Sequence, residues 1–264
     1  MKKYFEMFKI EIKTNIAYRF QIWARLLGDI VFIVMWYFVW KGLYSGTNEV
    51  YGKNFSETIL YVVVAQFLIT INNAGSPLWG IDVDISNGNI ANELIKPYNF
   101  IIKKLIQCVS SSISFFLLSS MWVFAVTFFI LKVELPSNCT IWIMFVISFI
   151  EGYLIRFFIE FVFSLLSFWV LHIGGIRALF TFSISLFSGS VIPLWFFSER
   201  VRFIADILPF KYIYFVPCDI ISNYRGLEVS CEYILAQSIW VIFSILIVLW
   251  LWKKGTKKLV IQGG

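Results

Sequence analysis

Long apolar runs, most of them free of charge, recur along the chain at lengths no soluble helix needs. A helix requires about 20 mostly apolar residues to cross the roughly 30 Å hydrocarbon layer of a bilayer. Six such runs occur, over 22–44, within 58–81, within 105–131, and over 141–170, 178–197 and 233–252. The expected fold is therefore an all-α membrane protein with six transmembrane helices, formed by residues 1–264 as a single domain. Ahead of the first run, residues 1–20 lack the continuous apolar stretch of a signal peptide. At 100° per residue Phe5, Phe8, Ile12 and Ile16 fall in one stripe beside Lys2, Glu6, Lys9 and Lys13. That pattern predicts a helix lying in the headgroup plane.

Composition agrees with the bilayer as solvent. The 264 residues are 59% hydrophobic, 20% aromatic and only 14% charged, against about 25% charged for a soluble domain. The net charge of +6 orients the chain and gives no reason to expect a nucleic-acid partner. With the N-terminus inside, 14 Lys and Arg lie on the cytoplasmic side, and seven lie outside: Lys41, Lys53, Lys132, Arg200, Arg202, Lys211 and Arg225. Cytoplasmic loops hold the basic excess, so both termini are expected in the cytoplasm.

Enzyme chemistry is scarce. The nearest approach to a phosphate-binding loop, Gly46 through Asn54, has the wrong spacing and no Ser or Thr after Lys53. The one histidine, His172, has no carboxylate nearby in sequence to orient it as a base. Cys108, Cys139, Cys218 and Cys231 show no metal-ligand or redox spacing; Cys218 and Cys231 could pair only in an oxidising compartment, and free thiols are expected. Asn54 and Asn138 each begin an N-x-S/T triplet on a predicted outer loop. No metal, cofactor or catalytic residue is expected on this chain.

Three stretches carry the functional reading. The fourth run contains Glu151, Arg156 and Glu160, each costing about 2.5 to 3.5 kcal/mol at a span's centre. Arg156 and Glu160 are four apart, about 40° around a helix, and can pair within it. Glu151 lies half a turn away and needs another partner. The trio is either a clamp buried between helices or part of a translocation path or proton relay. Between the second and third runs, Asp82, Asp84, Ser86 and Asn87 supply helix-start chemistry and Pro97 ends the segment. A short amphipathic helix over 82–97, with Ile90 and Leu94 on one face, is expected there on the cytoplasmic side. Between the fifth and sixth runs the 35 residues 198–232 are too apolar for an ordinary loop. Pro193, Pro209 and Pro217 cut 193–217 into pieces too short to span, which predicts an extracellular re-entrant hairpin.

The inner pattern DISNGNIANELIKP and the outer pattern SGSVIPLWFFSERVRFIADILPFKYIYFVP, in this order of parts, resemble permease subunits of ABC-2 type exporters of bacterial cell membranes. The resemblance covers nearly the whole chain, although the run WFFSERV lacks a proline at the start of the hairpin's first helix. It implies an interfacial elbow helix at 1–20, a coupling helix at 82–97 and extracellular re-entrant helices at 193–217. It also implies a dimer of permease chains, like or unlike, in membrane lipid above separate ATP-binding cassette subunits that hold ATP and Mg. Asp82, Asp84, Asn87, Asn89, Glu93, Leu94 and Lys96 would then couple the chain to the ATPase, and changing Glu93 or Leu94 would weaken coupling without harming folding. The cargo implied is a hydrophobic or amphipathic peptide, lipid or drug. The competing readings are a proton-coupled secondary carrier using Glu151, Arg156 and Glu160, and a non-transporting membrane sensor.

Overall fold

The computed structural model describes residues 2–17, 19–78, 80–170 and 173–258, and they are mostly helical. Helix α1 (Lys2–Ala17) leads into α2 (Arg19–Leu43). A two-residue-per-strand hairpin, β1 (Glu49–Val50) with β2 (Lys53–Asn54), follows. Tyr51 and Gly52 sit at φ of 53° and 71°, the left-handed pair that a tight hairpin turn demands. Asn54 then caps α3 (Phe55–Ala74): its side chain accepts from the Glu57 N–H at 2.8 Å while Glu57 accepts from the Asn54 N–H at 3.2 Å. Asn138 likewise accepts from the Thr140 N–H at 2.9 Å at the start of the helix Cys139–Leu165. Both N-x-S/T triplets thus serve as helix caps, which supply partners to otherwise unpaired N–H groups.

Two six-residue helices, α4 (Ile81–Ser86) and α5 (Asn89–Leu94), come next. The sequence pattern predicted one helix here. Gly88, at φ 74°, turns the backbone left-handed and splits it in two. Helices α6 (Phe100–Phe115) and α7 (Met121–Leu131) form one continuous span through a π-helical turn at Phe116–Ser120. The extra residue in that turn brings Phe116 and Phe124 onto one face, both against Phe67 of α3 with ring centroids 5.8 and 5.2 Å away. Then follow α8 (Cys139–Leu165), α9 (Gly174–Phe187), α10 (Glu199–Ile207), α11 (Phe215–Ser222) and α12 (Leu227–Thr256).

Among the described residues, five helices are long and apolar enough to cross a membrane: 26–43, 55–74, 100–131, 139–168 and 227–256. The predicted fifth span is different. Its helix, α9, has 14 residues, because the apolar run continues past Phe187 but the backbone does not. Gly189 takes φ 72°, and its carbonyl accepts a bond from the buried Tyr61 hydroxyl at 2.7 Å. After α9, Pro193 precedes a short 3-10 turn at Leu194–Phe196, Pro209 opens another at Pro209–Tyr212, and Pro217 sits in the first turn of α11. Each proline occupies a helix start, where no intrahelical N–H bond is lost.

Helix α3 is the most buried of the long helices, packed by α2, α6 and α11, while α12 lies along α8. The chain from Tyr212 to Ser222 is buried and wedged among α3, α8 and α12. Its closest approach is at Gly152 of α8, where an added Cβ would lie 2.8 and 2.9 Å from the carbonyl oxygens of Tyr212 and Ile213. Gln237 of α12 donates to Tyr212 O at 2.8 Å and to Ser148 O at 3.0 Å, joining all three elements. Wide apolar surfaces stay exposed on α2, α9 and α12, as Val31, Leu179 and Ile239 illustrate. A multi-pass protein presents such surfaces to lipid.

Candidate functional site

The α4–α5 segment is anchored by its apolar residues and then tied by its charges. Ile81, Ile85 and Ile90 insert into a second core formed by Phe100 and Ile101 of α6, Phe157, Phe161 and Leu165 of α8, and Val248 of α12. Around this seat, Asp82 pairs with Arg177 in the first turn of α9. Asp84 pairs with Lys104 of α6 at 3.0 Å. Glu93 accepts from Lys103 of α6 at 2.5 Å, from Lys96 at 2.6 Å and from Tyr98 at 2.8 Å. Burial alone would raise the Glu93 carboxyl, but the hydrogen bonds from Lys103, Lys96 and Tyr98 outweigh it and hold its pKa down at about 2.

Helix α1 braces the same region. Lys3 donates to the Pro97 carbonyl, the Asn99 N–H donates to the Tyr4 oxygen at 3.1 Å, and Asn15 donates to Ser111 at 3.3 Å. Asn99 in turn caps α6 through the Ile102 N–H at 3.1 Å.

What remains on the outside of this segment is a small apolar knob in a polar rim. Ile95 is 83% exposed and Leu94 43%, flanked by exposed Asn87, Asn89, Asn92, Lys96 and Pro97. Of the residues singled out from sequence, Asp82, Asp84 and Glu93 are therefore committed to internal ion pairs, whereas Asn87, Asn89, Leu94 and Lys96 face outward. Ile90 and Leu94 do not share a fate: Ile90 is fully buried and α5 ends at Leu94. Ile95, the most exposed large apolar residue here, carried no sequence signal beyond its place in a loop.

The intramembrane charges form a separate network. Arg156 is buried and uses all three guanidinium nitrogens: Nε to Glu160 at 2.7 Å, Nη1 to the Tyr214 hydroxyl at 2.5 Å, and Nη2 to Asn73 Oδ1 at 2.6 Å. Glu160 accepts in addition from Ser76 at 2.7 Å. The network joins α8 to the end of α3 and to the buried segment before α11. Glu151 stands apart from it and accepts from Ser238 of α12 at 2.6 Å. Asp29 of α2 accepts from Gln66 and Thr70 of α3, both at 3.1 Å. His172 lies outside the described residues. All four cysteines are free, Cys108 and Cys218 buried, Cys139 and Cys231 exposed.

A search of curated proteins returns no match to the chain. A family model described as an ABC-2 family transporter protein matches residues 30–263, from the middle of α2 through α12. That match covers the tethered segment, the buried charge network and every long helix but the start of α2. The chain accordingly belongs to the ABC-2 transporter family, whose membrane components are multi-pass, carry no ATP site of their own and pair with an ATP-binding cassette subunit.

Proposed function

We propose that this chain is the permease of an ATP-driven exporter, moving a hydrophobic or amphipathic cargo out of the cytoplasm while a separate subunit hydrolyses ATP. In this reading the chain crosses a bacterial cell membrane six times with both ends in the cytoplasm. Helix α9 is about 21 Å long and completes its crossing with the turn that follows it. Residues 193–217 then form an extracellular re-entrant hairpin, α1 lies in the inner interface, and two permease chains enclose the path. The basic excess at the proposed inner side supports the orientation. The amphipathic α10, with Phe203 and Ile207 exposed beside Arg200 and Arg202, suits the outer membrane surface.

The observation that carries the proposal is the construction of the α4–α5 segment. It is fastened to α6, α8 and α9 by a buried seat and three ion-paired carboxylates, and it presents the Leu94–Ile95 knob outward. A force on that knob moves three helices together. Individually each partly exposed ion pair contributes only about 0.2 to 1 kcal/mol, so rigidity rests on the buried isoleucines and the charges fix register. ATP binding would close the motor subunits, push on this segment and shift the permease between two conformations.

Ile95→Asp and Leu94→Asp test this directly, because neither side chain holds the fold. Cargo-stimulated ATPase activity of the reconstituted complex is expected to fall at least about tenfold, equivalent to about 1.4 kcal/mol of lost coupling, with unchanged yield of folded permease. Undiminished coupled transport in both variants would refute the assignment. Glu93→Gln probes the internal tether instead of the contact. Transport that persists without any ATP-binding subunit and collapses with the proton gradient would favour a secondary carrier. The full pairing of Arg156 and Glu160 inside one chain gives that alternative no support.

A further inference from the structure

Helices α6–α7 and α8 touch through Ser112 and Tyr153 and leave a cleft of about 680 Å³ between them, backed by α3. Val64 to Ile71 of α3 form its back, Val109 to Phe124 one wall and Trp142 to Leu154 the other, with Ile221 of α11 at its side. Its exposed lining is wholly apolar. The two polar side chains at its floor are already engaged: Ser112 donates to Ile71 O at 2.9 Å and shares a hydrogen bond with Tyr153 at 3.1 Å. Nothing polar is offered to an occupant. The π-helical turn at Phe116–Ser120 lies in one wall, and such turns frequently mark functional positions.

We infer that this cleft holds the acyl chain of a membrane lipid from the leaflet on the Trp142 side. Its length, its apolar lining and the Trp142 at its end each point to that occupant. From Trp142 to Leu154 the wall runs about 18 Å, close to the roughly 15 Å of one leaflet's hydrocarbon. At one end the Trp142 indole donates to the Pro136 carbonyl at 3.0 Å, as an interfacial tryptophan does at headgroup level. Below it the rims carry exposed Ile113, Met121, Val146 and Ile150, so the opening is continuous with the lipid-facing surface. The volume falls within the range of preformed ligand sites, about 300 to 1,000 Å³. Filling it with hydrocarbon gives α6–α7 and α8 a common packing partner that the protein does not supply.

The inference requires a bilayer and not the transport cycle, so it stands or falls separately from the permease reading. Replacing Ile150 with the photoreactive p-benzoylphenylalanine tests it, with the same replacement at Ile113 as a second position and at Ile239, on the open face of α12, as the control. The complex is purified in detergent, illuminated, and analysed by mass. A phospholipid-mass adduct is expected at positions 150 and 113 at least fivefold above position 239, because only a lipid held in the cleft survives extraction. Equal labelling at all three positions, no lipid adduct at 150 and 113, a cross-link to a second permease chain, or an adduct with a non-lipid cargo would each overturn it.

Discussion

At the residue scale, Arg156 decides whether the middle of the molecule holds together. Two buried ions are costly unless each is paired and hydrogen-bonded, and here every nitrogen of Arg156 and both carboxylate oxygens of Glu160 have partners. Arg156→Ala would leave Glu160 buried, 2% exposed, without its cation. The expected loss is about 3 to 5 kcal/mol of stability, read as a lowered unfolding midpoint in mixed micelles. Adding Glu160→Gln should recover part of it, since the remaining group is neutral and Ser76 can still donate. A single variant within about 1 kcal/mol of the parent would show that the network contributes little. The pairing of Arg156 with Glu160 was legible because four residues make one helical turn. Tyr214 and Asn73, 58 and 83 residues away, were not, because only the folded backbone brings them to the same depth.

At the scale of elements, the long apolar runs announced five helices plainly, while in the fifth run the helix stops short of the end of the apolar stretch because hydropathy does not register backbone sign. Gly189 at φ 72° stops α9 inside a stretch that stays apolar to Phe197. The same blindness hid the break at Gly88. The α4–α5 segment was recognisable as amphipathic, but its tethers to Lys103, Lys104 and Arg177 depend on which helices end beside it. Those tethers make a pH prediction. The Glu93 carboxyl sits near 2 when folded against an ordinary value of about 4.3, so it stabilises the segment fully above about pH 4.3 and loses that contribution as pH falls toward 2. A spin label on Asn92→Cys should be more mobile with Glu93→Gln than without it at pH 7. That difference should persist down to about pH 4.5 and shrink steadily below it. A difference that vanishes already at pH 6, or never exists, would mean that Glu93 does not hold the segment.

For the whole molecule, sidedness is the property on which every transport statement depends, and the chain carries its own reporters. Cys139 opens α8 and Cys231 lies in the first turns of α12, both exposed, at the helix ends opposite the α4–α5 segment. Cys108 and Cys218 are buried and should stay silent. In intact cells an impermeant maleimide is expected to label the parent chain at Cys139 and Cys231. Asn89→Cys, at the exposed start of α5, should add a further site only after the membrane is permeabilised. The reasoning is electrostatic: reversing the chain would carry the larger group of Lys and Arg across the membrane, against the bias that sets topology. It is also mechanical, because the Leu94–Ile95 knob can receive a push from an ATP-driven subunit only on the side where ATP is found. Labelling of Asn89→Cys in intact cells, with Cys139 and Cys231 protected, would invert the molecule and remove the basis for coupling through α4 and α5. The fold would survive that result, since its core and charge network are indifferent to which side faces out.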